Sequence, residues 1–100
     1  MVSDMQVWID SQVSAGQTII VPYVKSEIDR DVHYRFDVVK QGAGGSTRIS
    51  QGGTVHALAA KPVPLGRTSI DVQPRDTCRL EVVLTEKGAA IGIYRFDCPM

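Results

Sequence analysis

Two cysteines, Cys78 and Cys98, are the residues of this chain whose type and spacing most plainly suggest chemistry. They are twenty residues apart, so they form neither a Cys-x-x-Cys redox pair nor a zinc site, for which His33 and His56 are poor additional ligands. Two possibilities remain. The cysteines form a disulfide, or they are free thiols that pack in the core as small apolar side chains.

The segment KQGAGGSTRISQGG, residues 40–53, is the second candidate, because glycine-rich loops can bind phosphate. A GxxxxGK[ST] loop needs a lysine before its hydroxyl residue, and here Gly45 is followed directly by Ser46. The run Gly42-Ala43-Gly44 does not complete a GxGxxG pattern either. We therefore predict a glycine turn between two strands, and no nucleotide site.

Motifs for catalysis do not occur in the sequence. It contains neither a GxSxG elbow nor an HExxH motif, and its Ser, His and Asp residues show no convergent spacing. His33 is predicted to lie on the surface, and His56 has no predicted position. We expect that the protein is not an enzyme and that it binds no cofactor and no metal.

The elements that position these residues are predicted to be β-strands. The segment DVHYRFDVVK alternates apolar and polar side chains, as do CRLEVVLTE and IGIYRFDC, and this alternation is typical of half-buried strands. Trp8 lies out of phase with its apolar neighbours, so we expect it to pack under an edge or cap a sheet end. Short strands at this spacing predict an antiparallel sandwich. The predicted strands span residues 5–13, 17–24, 32–40, 46–59 (with a bend or break at Gly52-Gly53), 65–72, 78–85 and 90–98.

The last two strands predict a specific pairing around a turn at Lys87-Gly88-Ala89. That register gives two opposite-charge pairs on the outer face and two apolar pairs on the inner face. It also places Cys78 opposite Cys98, which favours the disulfide over free thiols, and a bond closing such a loop contributes about 3 kcal/mol. The predicted pairs are Glu81 with Arg95, Arg79 with Asp97, Leu80 with Phe96 and Val82 with Tyr94.

Length and composition indicate one domain, residues 1–100, with 43% hydrophobic residues and no net formal charge. Membrane insertion is not predicted, because no apolar run approaches the ~20 residues that cross a bilayer. Asp4 and Asp10 interrupt any signal-peptide core, so an exported protein would appear here in its mature form. Residues 38–70 contain four Lys or Arg and no acid, a charge pattern that suits an acidic partner. Nucleic acid is not predicted, because the basic residues are not interleaved with aromatic ones.

Three segments, taken in order, carry a family resemblance. They are TIIVPYV, YRFDVVKQGAGGSTRISQGG as strand, glycine turn and strand, and LGRTSIDVQPRDTCRLEVVLTEKG as two strands joined by a Pro-Arg-Asp turn. Between about residues 17 and 88 the chain resembles the CsgC/CsgH-like family of curli chaperones, with the CsgH-like branch favoured. The resemblance implies an all-β, immunoglobulin-like antiparallel β-sandwich of about seven strands.

The resemblance also implies a function. A protein of this family would be a periplasmic chaperone, without cofactor or catalytic residue, that keeps disordered curli-type amyloid subunits from nucleating; we expect it to be a monomer. One departure matters, because CsgC-type members carry Cys-x-Cys early in the third strand, where this chain has Val32-His33-Tyr34. A thiol–disulfide role for that motif therefore does not apply to this chain.

The residues expected to bind such a client are basic or hydroxyl- and amide-bearing. We predict weak, charge-guided binding by a face around Arg35 and the acid-free segment, with Ser50 and Gln51 offering polar contacts to a client strand. The candidates are Arg35, Lys40, Arg48, Ser50, Gln51 and Arg67. The alternative is a cell-surface or fimbrial adhesion module that uses the same sandwich as a scaffold.

Overall fold

The computed structural model describes residues 4–98, which form two antiparallel sheets packed face to face. No helix occurs within these residues, and hence none that is long and apolar enough to cross a membrane. The all-β sandwich predicted from the alternating pattern is confirmed. Its strands are β1 (Met5–Ser14), β2 (Gln17–Ser26), β3 (Arg30–Gly42), β4 (Gly45–Ala57), β5 (Val63–Pro64), β6 (Thr68–Ile70), β7 (Thr77–Glu86) and β8 (Ala89–Asp97).

The strands divide between the two sheets without mixing. The first sheet has the order β1-β2-β5, and β6 also pairs with β2. The second sheet has the order β4-β3-β7-β8, and every pairing in it is antiparallel. The apolar core lies between the two inner faces, where the predicted inward residues Val32, Phe36 and Val38 are fully buried.

The strand predicted over residues 65–72 is present only as the three-residue β6, and a two-residue strand that the sequence did not predict, β5, precedes it. Between β5 and β6 the chain turns at Leu65 and Gly66. Leu65 is fully buried and its N–H donates to the carbonyl of Pro22 at 2.7 Å, while Gly66 has φ +96°, a conformation that favours glycine. A turn with a buried anchor therefore occupies the beginning of the predicted strand, and with β5 the sandwich has eight strands within residues 4–98.

The predicted bend or break at Gly52-Gly53 is wrong, because β4 pairs continuously with β3 through both residues. Gly53 makes room for an aromatic ring. A Cβ atom at Gly53 would lie 3.1 Å from the ring of Tyr34, which is the residue paired with it. Here glycine permits close packing within a regular strand, a role that the sequence does not distinguish from a bulge.

The predicted register of the last hairpin is confirmed at all four non-cysteine pairs. The turn is tighter than predicted, because Ala89 pairs with Glu86 and a two-residue turn remains at Lys87 and Gly88, both with positive φ. Between Leu84 and Thr85 the pairing shifts by one residue, so the predicted pairs and the shorter turn occur in the same hairpin.

Cys78 and Cys98 form the disulfide that the register favours. Their Cα atoms are 5.2 Å apart, both residues are buried, and the Cys98 N–H donates to the Cys78 carbonyl at 3.0 Å. The bond therefore fastens the end of β8, an edge strand, to β7.

Removing this bond is expected to lower the free energy of unfolding. The double variant Cys78→Ser/Cys98→Ser should lose about 3 kcal/mol, since the unfolded chain is no longer cross-linked. Urea unfolding of the variant and of the parent measures the difference. A reductant should destabilise the parent and leave the variant unchanged, and a loss well under about 1 kcal/mol would show that the bond is dispensable.

Candidate functional site

The outer face of the second sheet carries a cluster of arginines. Side chains alternate across a strand, so residues on β3 that flank the buried Phe36 and Val38 point away from the core. The pairing of β3 with β4 and β7, and of β7 with β8, brings outward side chains from all four strands into neighbouring rows. We call this surface the arginine face; it comprises Arg35, Arg48, Arg79 and Arg95 with Asp37, Ser50, Glu81 and Asp97.

Asp37 lies at the centre of the arginine face and is 4% exposed, although it points away from the core. The Ser50 hydroxyl donates to its Oδ1 at 2.5 Å, and Arg35 Nε donates to its Oδ2 at 3.0 Å. Arg48 Nη2 lies 3.8 Å from the same Oδ2. The carboxylate is thus covered and compensated by three candidates named from the sequence.

The other two arginines of this face come from β7 and β8. Arg95 Nε donates to Glu81 Oε2 at 2.9 Å, while Arg79 is paired across the strands with Asp97 and has no ion pair within 4.0 Å among residues 4–98. Four arginines against three carboxylates leave the face with a net charge of +1. The hairpin register already predicts that Arg79 and Arg95 point outward. That register was therefore sufficient to add both arginines to the candidate client-binding residues.

Three of the predicted client-binding residues do not reach the arginine face. Lys40 follows the inward phase of β3, and its Nζ contacts the Asp71 carbonyl and lies 3.9 Å from Asp76 Oδ2 at one end of the sandwich. Gln51 is hydrogen-bonded to the segment before β6. Its Nε2 donates to the Arg67 carbonyl at 2.8 Å, and its Oε1 accepts from the Arg67 N–H at 3.3 Å. The Arg67 side chain is exposed beside that edge of β4.

The two histidines lie at one end of the same outer face. His33 is exposed, as predicted, and its Nδ1 is hydrogen-bonded to Thr54 Oγ1 at 2.9 Å. His56 Nδ1 contacts Asp31 Oδ1, and that hydrogen bond, with the negative charges of Asp31 and Asp29, raises the pKa of His56. His56 therefore carries positive charge over a wider pH range than an isolated histidine. Residues 4–98 hold no group of three side chains suited to binding a metal ion.

The outer face of the first sheet has a different character. Trp8 does not cap a sheet end or pack under an edge. It pairs directly with Tyr23 and stacks on that ring, with centroids 5.7 Å apart and planes inclined by 9°. Beside Tyr23, a shallow groove contains Ile19 and Val21 together with polar side chains of β1. The charged residues in phase with Trp8 and Tyr23 on β1 and β2 are Asp10 and Lys25, whose formal charges cancel, whereas the arginine face has a net positive charge.

The fold and the arginine face together define a small β-sandwich protein in which ion-paired arginines cluster on the outer surface of one sheet. The chain belongs to the CsgH family, because the family model described as "CsgH protein" matches residues 6–93. This finding confirms the CsgC/CsgH-like resemblance drawn from the sequence, including its preference for the CsgH-like branch.

Solved structures show the same fold. The solution structure of R. palustris CsgH is 24% identical, covers 93% of this chain and 91% of its own, and has a TM-score of 0.75. The E. coli curli protein CsgC is 17% identical, with coverage of 96% and 99% and a TM-score of 0.78. At these identities the likeness shows the shared fold alone. No curated protein matches the chain significantly by sequence.

Proposed function

We propose that this protein has a curli-associated role as a chaperone that delays amyloid nucleation of curli-type subunits. The observation that carries the proposal is the arginine face, a cluster of exposed guanidinium groups on one sheet surface of a CsgH-family domain. The E. coli structure of the same fold is described as a curli protein, which supports the choice of client.

The arginine face suits brief, charge-guided contact with a disordered acidic client. The apolar side chains among these residues are scattered, since Val39 and Val83 are half-buried and Ile93 is 40% exposed. Such a surface offers little apolar area for a stable complex, whereas its guanidinium groups can attract carboxylates from solution. This surface therefore favours rapid association with the client over a long-lived complex.

Brief contact is sufficient if the step that is blocked is nucleation. An amyloid nucleus needs strand segments from several disordered chains to meet, so nuclei are rare compared with free subunits. A protein that binds early assemblies and releases them can delay this step at low stoichiometry. Simple sequestration of subunits requires nearly equal amounts of the two proteins.

The proposal also places the protein in the periplasm, as a monomer in its mature form. The Cys78–Cys98 disulfide supports an oxidising compartment, since such bonds are rare in the reducing cytosol. It further holds that the protein acts without catalysis and without a cofactor.

The adhesion-module alternative has one structural observation in its favour. The stacked Trp8 and Tyr23 on the first sheet could bind a folded or extended ligand through apolar contacts. Binding through that face would persist at high salt. Salt dependence therefore separates the two candidate functions.

The test is amyloid formation by purified curli subunit, followed by dye fluorescence, with this protein at about one part in a hundred. A long delay is expected at an ionic strength of about 0.01 M, and a much shorter one at about 1 M, where the Debye length falls from ~30 Å to ~3 Å. The subunit alone at each salt concentration is the control.

The outcomes distinguish the parts of the proposal. Absence of any delay would contradict the chaperone function. A delay that is the same at both salt concentrations, relative to the subunit alone, would leave a chaperone but contradict charge guidance.

A further inference from the structure

We propose that Asp37 is a positioning residue that orients the guanidinium groups of Arg35 and Arg48. Each guanidinium can then act as a planar, two-pronged fork that binds a carboxylate of an extended, acidic polypeptide. The inference rests on the proposed function for its biological client, and it adds the chemistry and spacing that the client must present. It also explains why a carboxylate is buried beneath two exposed arginines in the middle of this surface.

The position of Asp37 is unexpected for a surface that acts through net charge alone. A carboxylate there cancels part of the attraction for an acidic client, and burying it from water is costly without compensating partners. Yet Asp37 is 4% exposed, while the side chains of Arg35 and Arg48 are 60% and 66% exposed. The carboxylate is buried beneath its partners, and the partners themselves remain open to solvent.

The contacts leave the outward ends of both guanidinium groups available. Arg35 uses Nε toward Asp37, so its two terminal Nη groups are free for another carboxylate. The Arg48 atom nearest to Asp37 is Nη2, at 3.8 Å, which is beyond hydrogen-bond distance. Neither arginine has a second carboxylate partner within 4.0 Å among residues 4–98, and such groups bind carboxylates in a two-pronged, planar geometry.

The geometry also indicates the spacing of the client's acidic residues. Arg35 Nε and Arg48 Nη2 lie 3.0 and 3.8 Å from one Asp37 oxygen, so the two forks are neighbours. Alternate side chains of an extended segment are about 7 Å apart and point the same way. A strand with carboxylates at alternate residues can therefore engage both forks at once.

Ser50 completes the arrangement from the neighbouring strand. It is the direct partner of Asp37 in the pairing of β3 with β4, and its hydroxyl fixes the carboxylate oxygen that the arginines do not use. A carboxylate held on both oxygens keeps one orientation. The arginines are then ordered before the client arrives, so less side-chain freedom is lost on binding.

The experiment titrates the isotopically labelled full chain with a synthetic disordered peptide that bears glutamates at alternate positions, and records NMR shifts. Arg35→Lys and Arg48→Lys keep the charge but lose the planar guanidinium. Ser50→Ala removes the hydroxyl that is hydrogen-bonded to Asp37. Asp37→Asn removes the carboxylate charge and so adds one net positive charge. We expect each to bind the peptide about 3- to 10-fold more weakly than the parent. A peptide with the same glutamates placed consecutively should bind the parent more weakly than the alternating one.

The contrary result is well defined, because an account based on net charge predicts the opposite order. Stronger binding by Asp37→Asn, together with unchanged binding by both lysine variants, would overturn the inference, as would a parent that does not bind the alternating peptide. Thermal unfolding of each variant verifies the fold, and Ser50→Ala retains all three charged groups in case Asp37→Asn unfolds. A parent that binds the peptide but does not delay curli nucleation would leave the inference standing and contradict the proposed function.

Discussion

The double variant Arg35→Glu/Arg48→Glu is expected to lose most of its ability to delay curli nucleation, by about tenfold or more at equal concentration. Both arginines are largely exposed on the arginine face, and their reversal leaves acids beside Asp37 where the parent has cations. An acidic client is then repelled from the surface that attracts it in the parent. Dye fluorescence at low salt measures the delay.

A matched control separates the location of charge from its total. The variant Lys61→Glu/Arg75→Glu changes the net charge by the same amount, in exposed loops outside the arginine face. We expect it to delay nucleation nearly as well as the parent. If the control loses as much activity as Arg35→Glu/Arg48→Glu, the location of the charges does not matter and the arginine face is the wrong site. Thermal unfolding of both variants is needed, because Asp37 without its partners destabilises the fold.

The largest expected effect on stability comes from Phe36→Ala. Phe36 is fully buried near the middle of β3, a central strand of the second sheet, and is paired with the equally buried Val82 of β7. Removing the ring loses its burial and leaves a cavity, which typically costs about 3–5 kcal/mol. In a domain of this size that is a large part of the total free energy of unfolding.

Urea unfolding measures this loss, and Ile93→Ala is the matched control. Ile93 is apolar but 40% exposed on β8, so its truncation is expected to cost under about 1 kcal/mol. Equal losses for the two variants would mean that the core does not lie between the sheets at Phe36.

The sequence predicted best where two regular patterns restrict each other. In the last hairpin, apolar alternation and opposite charges both require one register, and the structure has that register. It predicted less well where a single backbone contact decides. The Leu65 N–H bond to the Pro22 carbonyl and the positive φ of Gly66 form a turn where a strand was predicted to begin, so β6 starts only at Thr68, and no side-chain pattern marks such a contact.

The candidate site illustrates a second difficulty. Lys40, Arg48 and Arg67 lie in one acid-free segment, but the pleat and the turns direct them to different surfaces. Ser50 and Gln51 are consecutive residues of one strand, so they cannot share a face. Charged residues that are close in sequence need not be close in space. Arg35 and Arg48 share Asp37 as a partner because β3 pairs with β4, and the sequence did not predict that contact.

The buried position of Asp37 could not be read from its own strand. Alternation places it outward with His33 and Arg35, and this direction is correct. Its burial arises from side chains that fold over it, one from β3 and two from β4. An outward residue that is nearly inaccessible depends on lateral neighbours, which the alternation within a single strand does not report.

The most direct test of the central claim is to map where the client contacts the protein. The labelled full chain is mixed with freshly purified, still disordered curli subunit, and the loss of NMR signal intensity is followed residue by residue. We predict that the losses concentrate on the arginine face, on β3 and β4 around Arg35, Asp37 and Arg48, and that they disappear at high salt. Losses centred on Trp8 and Tyr23, or persisting at high salt, would contradict the account.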